Sequence, residues 1–256
     1  MFLVFSLLGG VVLLFIIAPL AAMFLQVSPG VFAETAADKE VRGSIMLTLW
    51  TSMAATAVFA IAAVPLAYLL ARAQFPLKRF VNGTIDLPIV IPHSAAGIAL
   101  LGVFSRDTIA GKAFGALGIE FVGGYAGIMA AMAFVSLPFL INASRDGFAA
   151  VPQRYENVAR NLGASPIRTF FTISVPLASR SIVSGLVLMF ARGMSEFGAV
   201  IIIAYHPMIT PVLIFERFGA FGLKYARPVS VVFISVCLVF FIVLRSISGE
   251  KRKFFQ

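Results

Sequence analysis

Long apolar runs separated by short polar segments make up most of the chain. Each run is long enough to cross about 30 Å of hydrocarbon as a helix. The runs lie near residues 2–26, 44–72, 88–104, 124–142, 182–205 and 228–247. The pattern therefore predicts an all-α, polytopic membrane protein with about six transmembrane helices. The first run has no basic residue before it and is about twice as long as the apolar core of a signal peptide, so we interpret it as a transmembrane helix.

The composition supports this fold class and excludes others. Of 256 residues, 60% are hydrophobic and only 12% are charged, whereas a soluble domain carries about a quarter charged residues. The net charge of +9 would suggest a nucleic-acid partner in a soluble protein. Here the basic residues lie in short segments between apolar runs, which indicates contact with membrane lipid and no nucleic acid. Cys237 is the one cysteine and excludes an intramolecular disulfide.

The distribution of lysine and arginine predicts the orientation. The segments after the second and fourth spans and the C-terminal tail are rich in basic residues: Lys78, Arg79; Arg145, Arg154, Arg160, Arg168, Arg180; Lys251, Arg252, Lys253. Cytoplasmic segments carry such an excess. Segment 206–227, with three basic residues, is ambiguous. We expect both termini to be cytoplasmic and the protein to lie in the plasma membrane.

The third span contains two prolines four residues apart in "DLPIVIPHSAAG" (86–97). Two interpretations stay open: a kinked, tightly packed helix, or a broken helix beside a transport pathway. His93 is more typical of a hydrogen-bonded packing residue than of a ligand, and His206 is too remote in sequence to imply a metal pair. Pro88, Pro92, His93 and Ser94 are candidates for translocation or gating, and no metal site is predicted.

Two opposite charges, Arg192 and Glu196, interrupt the fifth span. A charge at bilayer depth costs roughly 2.5 to 3.5 kcal/mol even on lenient scales. At i and i+4 the two side chains can reach each other, but an acid C-terminal to its base is the less favourable order, so each is expected to have a further partner. Structural pairing is favoured; a pathway or gating role is the alternative.

The loop after the fourth span has the pattern of two short helices. In "PQRYENVARNLG" (152–163), four apolar residues recur at helical spacing: Tyr155, Val158, Ala159 and Leu162. Pro152 suits a first turn, and Gly163 suits the left-handed residue that ends a helix. A second helix begins with Ser165 as N-cap and Pro166.

The second helix has an apolar face of its own, formed by Ile167, Phe170 and Phe171, and we expect Pro176 to end it. A small amphipathic helix can lie on a lipid surface or fit a groove on another protein. Its charged face is mixed, with Glu156 among arginines, which favours the protein groove.

Residues 156–176, "ENVARNLGASPIRTFFTISVP", resemble the EAA motif of ABC-importer permeases. Ala159, Gly163, Ile173 and Pro176 match its fixed positions. The chain departs from the motif in three places: Asn157 stands where a glutamate is usual, Glu156 is one place earlier, and Val158 replaces the first alanine.

The resemblance implies a type I ABC-importer permease fold. Residues 1–256 would then form a single transmembrane permease domain, with 144–181 as its cytoplasmic coupling loop and 152–162 as a coupling helix seated on a separate ATPase subunit. The resemblance implies these ATPase-coupling residues: Tyr155, Glu156, Asn157, Val158, Ala159, Leu162, Gly163, Ala164, Ser165 and Pro166.

The resemblance extends to three further segments. "DLPIVIPHSAAGIALL", "NLGASPIRTFFTISVPL" and "ARGMSEFGAVIIIAYHPM" are similar to the sulfate/molybdate group of these permeases, and most similar to archaeal-type molybdate/tungstate permeases. This implies import of molybdate or tungstate by alternating access, with sulfate as the main rival substrate. It also implies three partners: two copies of an ABC ATPase, an extracytoplasmic molybdate/tungstate-binding protein and a second copy of this chain.

The sequence contains no signature of an enzyme. Gly111-Lys112, the one Gly-Lys pair, has Arg106 in place of the first glycine of a phosphate-binding loop and Ala113 after the lysine. The sequence has neither a nucleophile elbow nor an His-Glu-x-x-His site. We therefore predict a transport subunit without cofactor or catalytic residues, whose ATP is hydrolysed by a partner. An ATP-independent oxyanion transporter or channel is the remaining alternative.

Overall fold

A computed structural model describes the backbone of residues 1–249 and the side chains of residues 1–243. Lys251, Arg252 and Lys253, which contributed to the expected orientation, lie outside the described residues. The described chain is helical throughout, with α1 Phe2–Leu25, α2 Pro29–Ala37, α3 Lys39–Arg72, α4 Lys78–Val90, α5 His93–Phe104, α6 Ile109–Ala116, α7 Tyr125–Ala150, α8 Arg154–Asn161, α9 Pro166–Thr169, a π-turn Phe170–Ser174, α10 Val175–Met194, α11 Val200–Ile203, α12 Thr210–Phe221 and α13 Leu223–Gly249.

Five helical segments of the described chain are long and apolar enough to cross a membrane, and a bent pair of helices gives a sixth if the pair forms one span. The five are Phe2–Leu25, Lys39–Arg72, Tyr125–Ala150, Pro166–Met194 and Leu223–Val243. The bent pair is α4 and α5, whose axes differ by 115°. These segments confirm the all-α, multi-span fold. The predicted third span, 88–104, is broken: α4 ends at Val90 and α5 begins at His93.

The predicted bounds of the fifth span are wrong at both ends. The helical segment begins at Pro166, not near residue 182, and its regular helix ends at Met194, with the short α11 following after a gap. Pro176, expected to stop the loop helix, lies in the first turn of α10 directly after the π-turn. A π-turn interrupts the regular i to i−4 hydrogen bonds of an α-helix. Pro176 has no backbone N–H to donate, and it is tolerated here because it directly follows this interruption.

Helices α3, α7 and α10 form the core, and small residues allow their backbones to approach closely. A Cβ on Gly147 would lie 2.4 Å from the Cβ of Ser181, and a Cβ on Gly193 would lie 2.9 Å from Oγ of Ser52. The Ser52 hydroxyl donates to the carbonyl of Phe190 at 2.8 Å. Without a hydrophobic driving force inside a bilayer, such close packing and interhelical hydrogen bonds hold the helices together.

Three short helices occupy connecting segments in which no helix was anticipated: α2, α6 and α12. Helix α12 is attached to the start of α3, because the N–H of Thr210 donates to Oγ1 of Thr48 at 2.9 Å. Arg217 on α12 also binds the carboxylates of Asp38 and Glu40, each at 2.8 Å. This ion pairing lowers the pKa of Asp38, chiefly through the hydrogen bond from Arg217. Helix α1, by contrast, buries none of its side chains within the chain.

Candidate functional site

The first candidate site is the loop between α7 and α10, where α8 spans Arg154–Asn161. This helix is shorter at both ends than the expected 152–162. Gly163 has φ +89°, the left-handed conformation that its position predicted. The N–H of Ala164 donates to the carbonyl of Ala159, and that of Gly163 to the carbonyl of Arg160. This pair of bonds is a Schellman motif, which closes the C-terminus of α8 and fixes the bend after it.

The next short helix begins as the sequence predicted. Ser165 is the N-cap of α9, and its hydroxyl accepts from the N–H of Arg168 at 3.3 Å. Pro166 occupies the first turn, where a missing N–H costs nothing. The bend and the cap together set the direction of α9 relative to α8.

The apolar stripe of α8 faces away from the rest of the chain. Tyr155 is 44% exposed, Val158 57% and Leu162 83%, while Ala159 is half-buried. Ile167 and Phe171, beyond the bend, are also largely exposed. A cluster of exposed apolar side chains is typical of a surface that contacts another protein or lipid. We refer to Tyr155, Val158, Leu162, Ile167 and Phe171 as the docking stripe.

Glu156 lies on the opposite face of α8 and is 3% exposed. Its Oε1 accepts from Nη2 of Arg72 at 2.7 Å and from the hydroxyl of Ser174 at 2.9 Å, while Oε2 accepts from the hydroxyl of Tyr68 at 3.0 Å. Burial raises the pKa of Glu156, but the hydrogen bonds from Arg72, Ser174 and Tyr68 outweigh it, so the pKa lies below its usual value. Glu156 therefore attaches α8 to α3 and to the π-turn before α10.

Aromatic packing supports this attachment. The ring of Tyr68 contacts Phe148 of α7 and Phe170 of the π-turn, with centroids 5.3 and 5.0 Å apart. Both contacts are edge-to-face, the favoured geometry for aromatic pairs. Tyr68 and Arg72 were not among the predicted site residues, because their role depends on contacts across 84 to 88 positions of sequence. Asn157, in contrast to Glu156, is exposed.

The second candidate site lies where two interrupted helices meet. Arg192 is in the last turn of α10, and Glu196 lies in the gap before α11. Nη2 of Arg192 is 3.1 Å from Oε2 of Glu196, so the predicted contact within the pair is present. Glu196 is fully buried, and its Oε1 accepts from the N–H of Ala199 at 2.9 Å.

His93, at the start of α5, completes this cluster. Its Nδ1 is 3.0 Å from Oε2 of Glu196, and its Nε2 is 2.8 Å from Nη2 of Arg192. The sequence predicted a further partner for each charge without identifying it; His93 is that partner for both. Although the guanidinium of Arg192 and the imidazole of His93 are both near, Oε2 accepts no well-aligned hydrogen bond from the described residues. We refer to His93, Arg192 and Glu196 as the charged cluster.

Two glycines bring these interrupted helices together. A Cβ on Gly198 would lie 2.7 Å from the Cβ of His93, and a Cβ on Gly97 would lie 2.8 Å from the carbonyl oxygen of Ala199. Neither position therefore accommodates a side chain without displacing α5 from α11. The third span is thus broken, and it is tightly packed at the break; its position beside a transport pathway stays a prediction.

The remaining predicted residues lie around the break. Pro88 is buried in α4, Pro92 is the N-cap residue of α5, and Ser94 is exposed in its first turn. An unanticipated contact, the amide of Asn142 donating to Asp86 at 2.6 Å, links α4 to α7. Among the described residues, no group of three or more His, Cys, Asp or Glu side chains is arranged to hold a metal ion.

Comparison with known proteins gives consistent matches. Residues 63–250 match the family described as "Binding-protein-dependent transport system inner membrane component". The chain is 42% identical to the molybdate/tungstate transport system permease protein WtpB of Thermococcus kodakarensis, over 97% of this chain and 96% of that protein. It is 30% identical to the sulfate transport system permease protein CysT of Synechocystis sp., over 94% of this chain and 87% of that protein.

Among solved structures, a chain of a bacterial ABC transporter involved in the import of the acidic polysaccharide alginate is similar. The TM-score is 0.75 at 16% identity, over 98% of this chain and 96% of that chain. The MetNI methionine ABC transporter, in an inward-facing conformation, gives a TM-score of 0.62 at 14% identity, over 82% of this chain and 93% of that chain. At these identities the likeness concerns the fold alone.

Proposed function

The chain belongs to the family of binding-protein-dependent transport system inner membrane components, and we propose that it is the permease subunit of an ATP-driven importer of molybdate and tungstate. It is a multi-pass protein of the plasma membrane. We place both termini in the cytoplasm, in keeping with the basic residues of the segments after the second and fourth spans.

The observation that carries the proposal is the two-faced geometry of α8. Its apolar stripe is exposed, while Glu156 on the other face binds Arg72 and Ser174. A helix that only lay on the membrane surface would need no buried carboxylate bound to two other segments. This arrangement is suited to receive a force from a docked ATPase and to pass it to α3 and α10. The ATPase is a separate chain, present in two copies.

The direct link from α8 to α10 suggests how the transport step is driven. Ser174, bonded to Glu156, lies at the start of α10, and Arg192 lies about 27 Å further along that helix at 1.5 Å per residue. Motion of α8 on ATP binding and hydrolysis is passed through this helix to the charged cluster. The pathway then opens alternately to each side, and each ligand favours one of the two states.

Substrate and remaining partners follow from the relatives. Molybdate/tungstate permeases match at 42% identity and a sulfate permease at 30%, so sulfate is the alternative cargo. An extracytoplasmic binding protein would deliver the oxyanion, and a second copy of this chain would complete the pathway. One solved relative is described in complex with a pentasaccharide-bound periplasmic protein, which supports this kind of partner.

The test is oxyanion-stimulated ATP hydrolysis by the complex reconstituted in liposomes with its ATPase and binding protein. Molybdate and tungstate should stimulate hydrolysis more than sulfate at equal concentration. Stimulation by sulfate alone would change the substrate, and stimulation by none of the three would contradict the importer proposal. Deletion of residues 153–162 should abolish co-purification of the ATPase, and retained co-purification would contradict the role of α8 in docking. Failure of the wild-type chain to co-purify with an ATPase would favour an ATP-independent transporter or channel.

A further inference from the structure

The charged cluster presents the guanidinium of Arg192 and the imidazole of His93 outward and its acid inward. The side chain of Glu196 is 0% exposed, that of Arg192 is 24% exposed and that of His93 is 36% exposed. Ser94 and Ser195, which flank the cluster, are exposed as well. An approaching anion would therefore meet the guanidinium and the imidazole before the carboxylate.

This face does not suit contact with lipid. Ionisable side chains within membrane spans face the bundle interior or a water-filled cavity, because their exposure to hydrocarbon costs several kcal/mol. Here the guanidinium reaches the surface of the single chain, at a place where two helices are interrupted. Irregular backbone at membrane depth is likewise tolerated only where protein covers it or where it lines water. In the assembled transporter, the face around Arg192 is therefore either covered by another protein surface or in contact with water, and the proposed import pathway would supply that water.

The contacts of Arg192 leave it able to bind a further acceptor. Nη1 donates to Oγ of Ser195 at 3.2 Å, and Nη2 faces Glu196 and His93. A guanidinium has five N–H donors in a planar fork that matches tetrahedral oxyanions. These neighbours hold the fork in place without using all of its donors.

Glu196 explains how such a contact would remain weak. An arginine without a neighbouring carboxylate would hold a dianion more tightly, whereas passage requires binding that is strong enough for entry and weak enough for exit. Glu196 offsets part of the positive charge, and its own position is fixed by the N–H of Ala199 and by the close packing at Gly198. It is thus a positioning residue that sets both the orientation and the affinity of Arg192.

We propose that Arg192, held in place by His93, forms a transient contact for a tetrahedral oxyanion in the pathway, and that Glu196 tunes this contact. A second copy of this chain would present the same arginine from the other side of the pathway. The proposal rests on the proposed function. It assigns an anion contact to a cluster whose ion pairing, taken alone, would indicate only a structural link between helices.

The test compares Arg192→Gln with Arg106→Gln in liposomes containing the permease, its ATPase and the binding protein. Arg106 also binds a carboxylate, that of Glu120 at 3.0 Å, but both side chains are mostly exposed. Arg192→Gln should lower molybdate and tungstate uptake about ten-fold or more, compared with wild type at equal amounts of assembled complex, because the glutamine cannot form the charge-assisted hydrogen bond to the anion. Arg106→Gln should transport normally.

Glu196→Gln provides a result that a structural brace does not predict. This variant should retain radiolabelled tungstate on the purified permease–ATPase complex about ten-fold more tightly while slowing uptake, since the guanidinium is no longer offset. If Arg192→Gln fails to assemble, Arg192→Lys decides: reduced uptake with intact assembly supports the contact, because an ammonium lacks the planar fork, and normal uptake overturns it.

Two results overturn the inference while leaving the proposed function intact. One is wild-type uptake by Arg192→Gln; the other is equal loss of assembly in Arg192→Gln and Glu196→Gln with no gain in tungstate retention. If the wild-type complex is stimulated by no oxyanion, the proposed function fails first and the inference fails with it.

Discussion

The carboxylate of Glu156 binds the guanidinium of Arg72 across 84 positions of sequence, with Oε1 2.7 Å from Nη2. Both side chains are mostly buried, at 4% and 13% exposure respectively. The same Arg72 nitrogen donates to the backbone carbonyl of Val151 at 3.0 Å. The end of α3 is thereby joined both to α8 and to the residue that follows α7.

Replacement of Glu156 by glutamine should uncouple ATP hydrolysis from the oxyanion. The amide keeps the size of the side chain but leaves Arg72 buried without its counter-charge, and breaking a buried pair costs about 3 to 5 kcal/mol. We expect basal hydrolysis to persist and oxyanion stimulation to fall about ten-fold or more, measured in the reconstituted complex. Glu120→Gln, which removes an exposed carboxylate from its pair with Arg106, is the matched control. Full stimulation in Glu156→Gln would show that the attachment to α3 is dispensable.

Polar substitution in the docking stripe should weaken ATPase binding without unfolding the permease. Val158→Ser and Leu162→Ser remove apolar surface that is exposed in the chain by itself, so their effect arises only when a partner covers it. Burying such a side chain contributes about 1.5 to 3 kcal/mol, and each variant should lower ATPase affinity about ten-fold in a titration of purified components. Asn161→Ser, an exposed change on the same helix, should leave affinity unaltered. Unchanged affinity in both stripe variants would indicate that the stripe contacts lipid.

Two glycines of α5 should differ sharply when each is replaced by alanine. A Cβ on Gly97 meets the carbonyl oxygen of Ala199 at 2.8 Å, whereas a Cβ on Gly102 meets nothing within 4 Å. Gly97→Ala should displace α5 from α11, destabilise the protein by about 1 to 3 kcal/mol and impair transport. Gly102→Ala should be neutral or stabilising by up to about 1 kcal/mol, because alanine favours the helix. Thermal unfolding in detergent compares the two, and equal midpoints would contradict the close contact at Gly97.

The attachment of α8 should be insensitive to pH throughout the neutral range and fail only in acid. The pKa of Glu156 lies below its usual 4.5 because hydrogen bonds from Arg72, Ser174 and Tyr68 outweigh the effect of burial. A lowered folded-state pKa contributes stability that is present above the unfolded-state value and is lost as the pH falls through the folded-state value. A fluorophore at residue 162 should report release of α8 below pH 4.5. The same titration of Glu156→Gln should be flat, and a wild-type transition above that pH would contradict the assignment.

Apolar length and helix-end chemistry predicted much of the fold. The spans are set by local composition, and the bend at Gly163 and the cap at Ser165 depend on residues within a few positions of each other. The fifth span was misplaced because a proline normally ends a helix, while the π-turn that accommodates Pro176 has no clear signature in the sequence.

The candidate sites were predicted only in part, because several of their contacts join residues that are distant in sequence. The apolar stripe of α8 is visible in its periodicity. The inward direction of Glu156, however, depends on its contacts with Tyr68 and Arg72 of α3 and with Ser174 of the π-turn. The pairing of Arg192 with Glu196 followed from their spacing. The contribution of His93 depends on tertiary packing, because the break before α5 lies against the break before α11. No local sequence pattern predicts that contact.

Under the proposed function, the two faces of the eight-residue helix α8 would have separate roles, ATPase recognition on one and attachment to the permease on the other. Side chains on the outward face can be exchanged without altering the bonds of Glu156, since none of those bonds involves the docking stripe. A cell that carries several related importers could therefore keep each permease matched to its own ATPase through surface changes alone. The same separation would allow an engineered pair to be made orthogonal to its relatives by redesigning one side of a single short helix.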